Sequence, residues 1–149
     1  MSSITRQSLL KASESFCTAF ASQPPPSEIL SKHFTQNSND IIVFEHGLPR
    51  LAPFLGREYK GKDGFLDYFK TIGEQLSYKD MRFSDYIVDA EVRKVSVRGE
   101  AVFTNKKTGQ SWDEVFRYVL EFDEDAKVKT YEIWADSGAA YLASRGELS

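Results

Sequence analysis

GQSWDEVFRYVLEFDEDAKVKTYEIWADSGAAY, residues 109–141, reads as a strand, an acidic turn, a second strand and the start of a short helix. Side chains on a strand alternate between its two faces. From Trp112 that alternation gathers Trp112, Glu114, Phe116, Tyr118, Leu120 and Phe122 on one side, five large apolar or aromatic groups around one carboxylate. The next strand, 127–136, gathers Val128, Thr130, Glu132, Trp134 and Asp136 by the same rule. A curved sheet with an aromatic inner wall and a few acids suits a pocket for a small hydrophobic molecule. Trp112, Glu114, Phe116, Tyr118 and Trp134 are the expected lining.

Working backwards, 81–90 and 94–105 also read as strands, joined to the first by the Thr108-Gly109 turn. Ahead of them Phe65, Leu66, Phe69, Ile72, Gly73 and Leu76 recur at helical spacing. Residues 47–60 carry Pro49, Pro53 and Gly56 and so should be irregular, yet they hold Leu48, Leu51, Phe54, Leu55 and Tyr59. An apolar loop of that length must pack on something, and such loops often contribute to binding. Ile41-Ile42-Val43-Phe44 reads as a strand ending near His46. The chain begins with an amphipathic helix over 5–22, marked by Leu9, Ser13, Phe16 and Phe20. Gln23-Pro24-Pro25-Pro26 stops it, because proline lacks an amide hydrogen, and Ser27 is expected to cap a short helix to about Phe34. Segregated helices followed by an antiparallel meander give an α+β fold in one domain, the sheet wrapping the N-terminal helices around a conical hollow.

Composition narrows the function classes. A chain of 149 residues with 41% hydrophobic and 28% charged residues builds an ordinary core without staples. Its net charge of −3 argues against nucleic acid as a partner, since phosphate binding needs clustered cations. One cysteine, Cys17, and two separated histidines give no metal-site spacing. The opening Met1-Ser2-Ser3-Ile4-Thr5-Arg6 contains no apolar leader run, and no stretch reaches the ~18 apolar residues of a membrane helix. No membrane association and cytoplasmic residence are therefore expected. On the opposite side of the 111–123 strand, Val115 and Val119 sit among charges, which points to a homodimer.

The element order, the run Gly109-Gln110-Ser111-Trp112, the acidic turn Asp123-Glu124-Asp125-Ala126-Lys127 and Ile133-Trp134-Ala135-Asp136 resemble the nuclear-transport-factor-2-like superfamily, most nearly its SnoaL-like proteins. Ala126 stands where those proteins usually place a turn glycine. The resemblance implies a cone-shaped α+β (cystatin-like) fold with a curved mixed or antiparallel sheet, commonly dimeric. It also implies binding of a polyketide-, terpenoid- or steroid-like molecule, with isomerase, cyclase or dehydratase (lyase) chemistry in some members and none in others.

Such chemistry needs no cofactor if a pocket carboxylate or imidazole has its charge state tuned by desolvation. Asp136 matches a recurring acidic position of the resemblance; it is a catalytic candidate or the cap of the last helix. Glu132 is a second candidate, either a pocket acid or half of an ion pair at a dimer face. Glu114, isolated among rings, is similar. Glu45 and His46 are adjacent, so only one of them faces inward; His46 shares its parity with Ile42 and Phe44 and is a candidate base, and the choice between Glu45 and His46 stays open at the level of sequence. Tyr59 and Trp112 supply hydrogen-bond donors or packing. Two acids within reach of one spot in a cavity favour catalysis; a non-catalytic binding module is the alternative.

Overall fold

The computed structural model describes residues 4–149. Met1-Ser2-Ser3, the start of the stretch read for a leader, lies outside them. Helix α1 (Arg6–Ser22) opens with Thr5, whose hydroxyl accepts from the Ser8 amide while the Ser8 side chain answers to the Thr5 amide. That reciprocal pairing satisfies two donors a helix start leaves free. The helix ends at Gln23 in a left-handed conformation. Helix α2 (Pro26–His33) starts one residue before the expected cap: Pro26 itself occupies the first turn, where a missing amide hydrogen costs nothing.

Strand β1 (Ile42–His46) follows, then the loop, then the two-residue β2 (Tyr59–Lys60) and helix α3 (Gly61–Gln75). Strands β3 (Leu76–Asp89), β4 (Lys94–Asn105), β5 (Ser111–Phe122) and β6 (Val128–Trp134) lead to helix α4 (Ser137–Ser144). The sheet order is β2-β1-β6-β5-β4-β3. The last four strands form the expected antiparallel meander, but β1 runs parallel to β6, so the sheet is mixed. Strand β3 starts earlier than its sequence pattern implied, because polar Ser77, Lys79 and Asp80 at this sheet edge disguise its first half.

Curvature has a local cause. The β3–β4 register slips by one residue between Lys79 and Arg82 and again between Ser84 and Ile87. Asp80 and Asp85 sit inside those slips at φ +57 each. Extra residues of this kind bend a strand and raise its twist. The edge therefore curls over α1, and Arg117 on β5 holds the second bulge through the Asp85 carboxylate.

Helices α1 and α3 fill the concave side. Phe16 is fully buried and meets Phe20, Phe34 and Tyr131 at ring separations of 4.8, 5.8 and 5.5 Å. The long loop packs as its apolar content required, with Phe54 and Leu55 buried, although Leu48 stays exposed. Among the described residues no helix is long and apolar enough to cross a membrane.

The β5–β6 turn carries a small defect. Asp123 Oδ1 accepts from the amides of Asp125 and Lys127 at 2.8 and 2.9 Å, and this turn forces Ala126 to φ +58. A side chain there costs about 1–2 kcal/mol that glycine avoids. After glycine's greater unfolded-chain freedom is subtracted, Ala126→Gly should stabilise the fold by roughly 0.5–1 kcal/mol. Thermal unfolding should show a rise of about 2 °C; a fall would refute the strain.

Candidate functional site

A cavity of about 130 Å3 opens between α1, α3 and the concave face of the sheet. Phe20, Phe69, Phe103, Phe116 and Met81 supply apolar wall, and the carboxylates of Glu45 and Glu114 enter it. Gly99 helps shape that wall. A Cβ at Gly99 would overlap the Phe116 ring, so the missing side chain lets the ring lie across β4.

Glu45 reaches the cavity because β1 turns Val43 and Glu45 inward, leaving them 0% and 5% exposed. Tyr68 on α3 donates its hydroxyl to Glu45 Oε1 at 2.6 Å. Among the described residues nothing hydrogen-bonds the second oxygen, and the Glu45 side chain lines the cavity. Burial pushes the Glu45 carboxyl up to about 7, the Tyr68 hydrogen bond pulls it down, and the nearby Glu114 charge pushes it up again. A carboxyl at that value exchanges a proton readily at neutral pH.

Glu114 is held differently. Trp112 Nε1 donates to its Oε2 at 2.7 Å, and the Asp136 amide donates to its Oε1 at 3.0 Å. Burial raises the Glu114 carboxyl, and those two donors offset only part of the rise. Two N–H donors favour the ionised form, because a carboxylate accepts at both oxygens. The site therefore joins one fully bonded carboxylate to one with an open oxygen.

Tyr118 and Tyr131 close the inner end, ring to ring at 4.8 Å. Burial pushes both phenols well above their usual range, opposed at Tyr118 by its contact with Tyr131, so they stay protonated and able to donate. Among the described residues no group of three or more His, Cys, Asp or Glu is placed to hold a metal ion.

No family model and no curated protein sequence matches the chain. Solved structures do. The fold is similar to a Burkholderia xenovorans NTF2-like protein at TM-score 0.71 and 15% identity, covering 94% of this chain and 98% of that one. It is similar to TerC, crystallised with polyporic acid, at TM-score 0.75 and 15% identity, covering 93% and 98%. The pinacolase BvnE of Penicillium brevicompactum matches at TM-score 0.67 and 18% identity, covering 96% and 91%. The fold is NTF2-like.

Within this NTF2-like cone the sequence-derived candidates separate. Trp112, Glu114, Phe116 and Tyr118 line the cavity, as the alternation along β5 required. Strand β6 has the reverse of its expected parity beyond its first residue. Phe122 pairs with Val128, but Glu121 pairs with Thr130, so Lys129 is an extra residue and every later side chain changes face. Tyr131 and Ile133 point inward, 2% and 4% exposed, while Glu132 and Trp134 lie on the convex side.

His46 shares that convex side, opposite Trp134 in the β1–β6 register. Its Nε2 is 2.9 Å from Glu132 Oε2 and its ring stacks on Trp134 at 4.3 Å, 10° from parallel. His46, Glu132 and Trp134 thus form a cluster of their own, separated from the cavity by the sheet. Asp136 borders the cavity, but its Oδ1 accepts from the Ala139 amide at 2.9 Å and caps α4. Tyr59 is buried against Tyr68 and does not line the cavity; among the described residues its hydroxyl has no partner.

Tyr68 and Tyr131 are the groups that sequence reasoning passed over as site residues, and of the pair Glu45 and His46, left open by the sequence, Glu45 is the one that lines the cavity. Tyr68 carried a signal: it lies three residues after Phe65 on the inward stripe of α3. Tyr131 did not, since its facing depends on the bulge at Lys129.

Proposed function

We propose that the chain binds a small hydrophobic molecule in its cavity and moves a proton on it, in an isomerisation, cyclisation or dehydration. Glu45 carries the proton, Tyr68 orients it, and the neighbouring Glu114 biases it. Tyr118 and Tyr131 offer hydroxyls to oxygen where charge develops. One observation carries this reading: two buried acids share an apolar cavity, and the one with an open oxygen is pushed up to about 7. Two proteins of the same fold, a pinacolase and one crystallised with polyporic acid, support treating the cavity as a small-molecule site. Asp136, Glu132 and His46 are assigned to the helix cap and the convex face instead.

The test uses a probe of one ring, the size an apolar void near 150 Å3 accepts. Proton–deuterium exchange on 2-cyclohexen-1-one in D2O, followed by NMR, should run faster with the protein than in buffer. The rate should climb through about pH 7 as Glu45 ionises. Glu45→Gln should return it to the buffer rate. Equal rates for the two proteins would remove Glu45 from the chemistry, and the binding-module alternative would then stand.

The convex face supports a homodimer. Trp134 and Val115 are 42% and 51% exposed there, beside Arg98 and Arg117 in one shallow groove. Sedimentation velocity should give a dimer for the native chain and a monomer for Val115→Glu, whose charge would be desolvated in the interface. A native monomer would contradict the assignment.

A further inference from the structure

Helix α3 presents an apolar stripe to the cavity, and the stripe has a gap. Phe65 is buried and Phe69 is partly buried, four residues apart, and the next step of that spacing is Gly73. Gly73 lines the cavity, yet a Cβ built on it would meet no atom within 4 Å. Glycine inside a helix is less favourable than alanine by about 1 kcal/mol. The sequence therefore accepts a penalty at a point where the protein itself leaves space for a side chain. Fraying does not account for it: Lys106 Nζ donates to the Gly73 carbonyl, and the Lys106 amide donates to the Gln75 carbonyl at 2.9 Å. Around the gap, Ile72, Tyr78, Met81 and Phe103 are only partly buried, so an apolar rim surrounds it.

We propose that Gly73 is a specificity-determining residue: its missing side chain forms the mouth of the cavity and admits ligands longer than one ring. This rests on the cavity being the ligand site, and it adds the size class of the ligand. The reacting ring sits beside Glu45 within the cavity, whose whole volume, the part at Gly73 included, resembles that of an engineered cavity that holds benzene. The remainder leaves over the Gly73 backbone. Tyr68, which holds Glu45, lies five residues before Gly73, so that path is about 7.5 Å along the helix. The ligand is thus a fused or chain-extended apolar molecule with a polar group at its inner end.

Calorimetric titration with cyclohexanone and with 2-decalone, one ring and two fused rings, tests this on the native chain, Gly73→Ala and Gly73→Leu. The native chain should bind 2-decalone more tightly. Gly73→Leu should weaken 2-decalone on the order of tenfold or more while leaving cyclohexanone within about twofold, since only the added ring loses its place. Gly73→Ala should melt higher than the native chain, by helix propensity, and weaken 2-decalone by a smaller factor. Unchanged affinity for both ketones in Gly73→Leu would overturn the mouth and leave the cavity site standing. Equal loss of both ketones, or native binding of cyclohexanone alone, would also overturn it. Binding of neither ketone by the native chain would instead remove the cavity site itself.

Discussion

Glu45→Gln is expected to be more stable than the native chain above pH 7 by about 3 kcal/mol, and to match it below about pH 4.5. The sign follows from where the proton sits. In the unfolded chain the Glu45 carboxyl has an ordinary value of 4.5, and folding pushes it up to about 7, chiefly by burial. Between those values the folded chain holds a proton that the unfolded chain has released. Folding stability is therefore complete below about 4.5, falls as pH rises, and reaches its full loss above about 7. Glutamine has no proton to lose and can still accept from Tyr68, so the variant avoids that fall. Urea unfolding of both proteins across pH 4–8.5, compared as a difference, should give a curve that is flat, then rising, then flat. Parallel stability curves would mean that Glu45 is not desolvated as described. A gain in stability paired with a loss of proton transfer is what a site residue held in an unfavourable environment should show.

Glu114→Gln has the second largest expected effect, in the opposite direction. Both oxygens of Glu114 accept, one from the Trp112 indole and one from the Asp136 amide. An amide side chain offers one acceptor and one donor group, so one of these part-buried N–H groups would face another N–H. An unmet buried donor costs roughly 1–3 kcal/mol, and urea unfolding at pH 7 should show a loss of that size. The same change removes a negative neighbour that raises Glu45, so the Glu45 carboxyl should titrate lower than in the native chain. The two readouts separate a structural role from an electrostatic one: lost stability with an unmoved Glu45 would leave Glu114 only as a tie between β5 and α4.

What the sequence revealed follows physical range. Local signals read well. The stripe of Leu9, Phe16 and Phe20, the proline run after Gln23 and the alternation from Trp112 to Phe122 each depend on neighbours a few residues away. Strand β2 was too short to show a period. Leu66 entered the stripe of α3 by spacing alone, and lies exposed because a helix buries a narrower arc than its apolar residues can mark.

Long-range facts stayed hidden. The parallel pairing of β1 with β6 joins residues nearly ninety positions apart, and it puts His46 beside Trp134. Parity in β6 was lost to one unpaired residue, Lys129, because a single bulge inverts every side chain after it. Only the second of these inverted a reading. The bulge exchanged the two faces of β6 for Tyr131 and Glu132, while the facing of Glu45 and His46, open in the sequence, needed the β1–β6 pairing, so the aromatic wall was legible and the choice of acid was not.

The direct test of the account is the titration of the Glu45 side-chain carboxyl by carbon-detected NMR in the native, ligand-free chain. A midpoint near 7, moving upward in Tyr68→Phe as the opposing hydrogen bond is lost, is the predicted result. A midpoint near the ordinary 4.5 in both proteins would contradict a desolvated proton carrier in this cavity.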